Sequence, residues 1–82
     1  MGKNAVINTE FRIPIWSEKK VREYLRTMID IATTYKGITE IDFTESNYMI
    51  FVVFNVVLKG RRKYIRITER LIEKKITEIT DG

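Results

Sequence analysis

Residues 48–64 read YMIFVVFNVVLKGRRKY. From Tyr48 to Leu58 the chain is almost unbroken in apolar side chains, and at Lys59 it turns abruptly basic. The apolar run falls short of the roughly 20 residues that span a bilayer. Its valines and aromatics favour a β-strand. A strand that is apolar on both faces belongs in the middle of its sheet. Alternation then sends Tyr48, Ile50, Val52, Phe54, Val56 and Leu58 toward covering helices. Met49, Phe51, Val53 and Val57 point the other way, around Asn55. An apolar stripe left open in a small domain marks a contact surface.

Upstream, Ile38 to Glu45 forms a neighbouring strand, with Ile41 and Phe43 inward and Glu40 and Asp42 toward water. Ser46-Asn47 supplies the turn between the two strands. Before them lies an amphipathic helix. Val21, Tyr24, Leu25, Met28, Ile29, Ala32 and Tyr35 recur at helical spacing, and Gly37 is the left-handed stop. Ser17 is placed to cap its first turn, with Trp16 and Val21 as a hydrophobic staple. Ala5 to Ile15 alternates as a first, half-buried strand that ends near Pro14, with Ile7, Phe11, Ile13 and Ile15 on one side.

Downstream of Lys59-Gly60 two patterns compete. Tyr64, Ile65, Leu71 and Ile72 fall at helical spacing, whereas Lys63 to Thr68 alternates like a strand. The tetrapeptide ITEI occurs twice, at Ile38–Ile41 and Ile76–Ile79. Two strand–helix–strand halves, each closing on ITEI, give an α+β fold in the ferredoxin-like order βαββαβ, an antiparallel sheet with two helices on one face. The rival order is βαβββα, with a hairpin at KGRR and a final helix from Thr68. Both describe residues 1–82 as one small domain.

Composition narrows the chemistry. The chain has 82 residues, 44% of them hydrophobic and 32% charged, which is enough apolar surface for a core. It contains no cysteine, histidine or glutamine, so thiolate and imidazole chemistry, disulfides and sulfur-ligated metals are all absent. No cofactor or metal is expected. An Ile-, Lys-, Arg- and Glu-rich chain of this kind suits a hyperthermophile or a designed sequence. The net charge of +4 inclines it toward polyanionic partners. The first residues carry no apolar signal segment, so a soluble cytoplasmic protein with no membrane partner is expected.

Few motifs carry function. Phe51 to Phe54, FVVF, resembles the end of the RNP1 element of RNA-recognition motifs, which lies on the third strand of a βαββαβ domain. The resemblance implies base stacking on the open sheet face, with Met49 and Phe51 in the two stacking positions. Asn47 and Tyr48 replace the basic residue and glycine that open RNP1, and Met49 is not aromatic. Read plainly, the same letters are a central hydrophobic strand. Lys59, Arg61, Arg62, Lys63 and Arg66 form the basic cluster, which suits phosphate if a helix starts beside it and is otherwise a solvated turn. Enzyme readings lack residues. A PD-(D/E)xK nuclease could use Asp42 and Lys59, but Val57 stands where its second acid belongs, and Glu40 with Asp42 are alternating acids on a wet strand.

A non-catalytic binding module follows, with three forms. RNA or single-stranded DNA would be held by Lys59, Arg61, Arg62, Lys63 and Arg66, with Phe51 on the open sheet face. Alternatively, Met49, Phe51, Val53 and Val57 form a protein-interaction or homodimer interface, which would enlarge a small core. The third form is a designed or redesigned scaffold with no biological ligand.

Overall fold

A computed structural model of the protein describes residues 4–31 and 37–81. The order is β1 (Asn4–Pro14), a 3-10 turn (Ile15–Ser17), α1 (Glu18–Ile31), β2 (Ile38–Asn47), β3 (Phe51–Arg61) and α2 (Arg62–Asp81). Among the described residues the sheet has three strands in the order β1-β3-β2, and β3 runs antiparallel to both neighbours. Its central place is the one its two-sided apolarity predicts.

Both helices lie on one face of the sheet. Val21, Leu25 and Met28 of α1 and Ile65, Thr68, Ile72 and Ile76 of α2 are buried there. They meet Ile13 of β1, Ile38 and Ile41 of β2, and Val52, Phe54, Val56 and Leu58 of β3. Phe54 is fully buried and packs against Phe43 with ring centroids 5.8 Å apart. Thr9 Oγ1 donates to Glu69, tying β1 to α2. On the other side of the sheet β3 presents Val53, Asn55 and Val57, half-buried between polar side chains of the edge strands. No helix or strand among the described residues covers that face.

Among the described residues the fourth strand of the ferredoxin-like order is absent, and so is the KGRR hairpin of the rival order. β3 continues through Gly60 to Arg61, and α2 begins at the next residue. The second ITEI is helical. Its isoleucines stand three apart, which is a same-face spacing in a helix, so Ile76 and Ile79 extend the stripe begun by Ile65, Thr68 and Ile72. The first ITEI needs a device to work as strand. Ile38 and Ile41 are both buried, although residues three apart lie on opposite faces of a regular strand. A register shift between Ile38 and Glu40 restores the parity. The repeat is a helical spacing used once in a bulged strand.

Three local expectations also change. Residues 48–50 are not strand: Tyr48 N donates to Phe51 O at 2.9 Å, closing a turn over Met49 and Ile50. Tyr48 and Ile50 are therefore exposed, not set against the helices, and Ser46-Asn47 are the last residues of β2. Ser17 does not cap α1. Its buried hydroxyl donates backward to Pro14 O at 2.8 Å, while Trp16 stands in solvent, so no staple forms. Ile15 has left the strand and is exposed. Ala32 and Tyr35 lie outside the described residues; Gly37 does take a left-handed φ of 95°.

Candidate nucleic-acid interface

The molecule measures 45 × 19 × 18 Å, and β3 runs through the middle of its sheet. Its first residue, Phe51, and its last, Arg61, are separated by ten strand steps, about 33 Å. The proposed stacking residue and the basic cluster therefore lie at opposite ends.

At the far end of β3 the backbone makes a close crossing. Arg61 N donates to Gly37 O at 2.8 Å, and Gly60 sits there with φ 149°. The crossing hands the chain directly into α2, whose first turn holds Arg62 and Lys63 and no acid. Unfavourable against the helix dipole, this arrangement is relieved when an anion sits among the cations. Arg62, Lys63, Arg66, Ile67 and Arg70 line one open depression on α2. Arg70 and Lys74 line the next, together with Glu73, Thr77 and Glu78. Arg62, Lys63, Arg66, Arg70 and Lys74 thus form a ridge spanning twelve helical steps, about 18 Å. Among the described residues no carboxylate lies within 4.0 Å of these five cations.

Lys59 differs from the rest of the cluster. It projects onto the open sheet face and pairs with Glu40 at 3.0 Å. Arg61 is exposed beyond it. Arg70 and Lys74 were beyond sequence reasoning because they join the cluster only once the helix is known to start at Arg62.

The aromatic end is already occupied. Tyr48 stacks on Phe51 with centroids 4.7 Å apart and planes at 16°, and the Arg12 guanidinium lies 3.8 Å from the ring centroid. The two partners approach from different sides of β3, Tyr48 from the turn to β2 and Arg12 from β1. Of the expected interface stripe, Phe51, Val53 and Val57 share the open face, whereas Met49 lies on the turn outside it.

Other charged groups are committed to structure. Arg22 bridges Glu45, through Nε at 2.8 Å and Nη2 at 2.9 Å, and Glu18 at 2.6 Å. The hydrogen bonds from Arg22 hold the Glu45 carboxyl below the usual carboxylate range. Asp42 accepts from the Phe43 amide at 2.8 Å. Among the described residues no group of three or more acids is arranged to hold a metal ion. The chain matches no protein-family model, and no curated protein or solved structure is significantly similar to it. Any functional reading therefore rests on this geometry alone.

Proposed function

We propose that the protein is a non-catalytic module that binds nucleic acid, RNA or single-stranded DNA, along the exposed face of α2. The observation that carries this reading is the ridge of five cations, Arg62, Lys63, Arg66, Arg70 and Lys74, continuous with Arg61 and with no carboxylate within 4.0 Å among the described residues. Each arginine offers a planar fork suited to phosphate oxygens, and the free N–H groups at the start of α2 add to the same pole. Contacts of this kind are to backbone phosphates, so the binding has little sequence preference. Phe51, with Tyr48 and Arg12 beside it, belongs to the other end of β3 and is secondary to the ridge.

The test is the salt dependence of binding to a short fluorescent single-stranded oligonucleotide. About five neutralised phosphates give a slope of log affinity against log salt near −3.5. Exchanging Arg62, Arg66 and Arg70 for alanine should flatten the slope by about 2 while leaving the far-ultraviolet dichroism unchanged. Equal slopes for the two proteins would refute the reading.

A further inference from the structure

Nine large apolar side chains are exposed among the described residues, and five of them gather at one end of the molecule. Met49 is 95% exposed and Ile50 74%, at the summit of the β2–β3 turn. Trp16, 61% exposed, Tyr48, 52% exposed, and Ile15 stand just behind them. Ile15 N donates to Ile50 O at 3.2 Å, so the turn and the β1–α1 junction form one tip. Lys19 and Lys20 follow in the first turn of α1, both exposed and with no carboxylate within 4.0 Å among the described residues. The nearby acids Glu18 and Glu45 are held by Arg22.

We infer that this tip inserts into the surface of an anionic lipid bilayer. Aliphatic side chains lead, Trp16 and Tyr48 stand at the depth where amphipathic rings prefer the headgroup boundary, and cations trail at the level of lipid phosphates. The tip is convex, being a two-residue turn at the end of an elongated molecule. Two copies meeting tip to tip would set one convex surface on another, a poor route to the roughly 1,200 Å² of a stable interface. A fluid lipid surface closes around such a shape. No helix among the described residues is long and apolar enough to cross a membrane, and insertion at this depth needs none. The inference departs from the expectation of no membrane partner, which rested on the lack of a signal segment and of a bilayer-spanning run. The nucleic-acid reading concerns the exposed face of α2, which starts at the opposite end of β3, and is independent of this one.

Trp16 is the sole tryptophan and reports directly on the tip. The experiment titrates the protein with vesicles of phosphatidylcholine alone and of phosphatidylcholine with phosphatidylserine, following Trp16 emission and its quenching by bromine-labelled acyl chains. A blue shift and quenching on the anionic vesicles are expected. Lys19→Ala with Lys20→Ala should weaken the partition about thirtyfold. Met49→Glu with Ile50→Glu should abolish the shift; both positions are exposed, and dichroism checks that the fold survives. Unchanged emission on both vesicle types overturns the inference, as would occur if the tip serves a concave protein pocket. Sedimentation with anionic vesicles without a Trp16 shift also overturns it, because adsorption then runs through the α2 ridge.

Discussion

At Gly60 the backbone of β3 takes φ 149°, and a Cβ built there would lie 2.2 Å from the Gly37 carbonyl oxygen. Gly37 itself has φ 95°, and a Cβ on it would enter the Tyr64 ring at 2.3 Å. Two missing side chains thus allow β3, the start of β2 and the first turn of α2 to meet. That meeting fixes where α2 begins, and so which face its arginines occupy. Gly60→Ala should therefore cost roughly 2–3 kcal/mol in chemical denaturation, through strained φ and a backbone clash together. A variant as stable as the parent would show that the crossing has room for a side chain. None of this is visible in the letters KGRR. Glycine between cations signals a turn as readily as a crossing, and the partner at Gly37 is 23 residues away in sequence.

Among the elements, the sequence reveals most where periodicity is long and one-sided. β1, α1, β2 and the central place of β3 follow from alternation and helical spacing, as do the inward sets Ile41 and Phe43, and Val52 to Leu58. It misleads where a short pattern serves two structures. ITEI is strand at Ile38–Ile41 only because a bulge re-aims it, and helix at Ile76–Ile79 because the preceding stripe carries through. YMI reads as the opening of a strand by composition, but the hairpin must close somewhere, and it closes over Met49 and Ile50. Thr77→Pro separates the two outcomes for the second ITEI. Inside α2 it removes a helical hydrogen bond and clashes with the preceding turn, costing about 3 kcal/mol. The melting midpoint should then fall by on the order of 10–20 °C, with loss of helical dichroism. An unchanged midpoint would place residues 76–79 in an edge strand, where proline is tolerated.

Taken whole, the molecule is a rod with unlike ends. One pole is apolar, built from Trp16, Tyr48, Met49 and Ile50; the other is basic, from Arg61 into the ridge of α2. The sheet face between them is quieter than its sequence suggests. Val53 and Val57 are shielded by neighbouring polar side chains, and Glu40 neutralises Lys59. This favours binding at the apolar end and along α2 over binding across the open sheet face. The candidate site was half legible: Arg61, Arg62, Lys63 and Arg66 stand out as a basic run, whereas Arg70 and Lys74 gain meaning only from helical register. The most direct measurement is a map of amide chemical-shift changes on adding a single-stranded oligonucleotide to the labelled protein. The changes should concentrate at Lys63, Arg66, Ile67, Arg70 and Lys74. Changes confined to Phe51, Val53 and Asn55 on the open sheet, with α2 silent, would contradict the account.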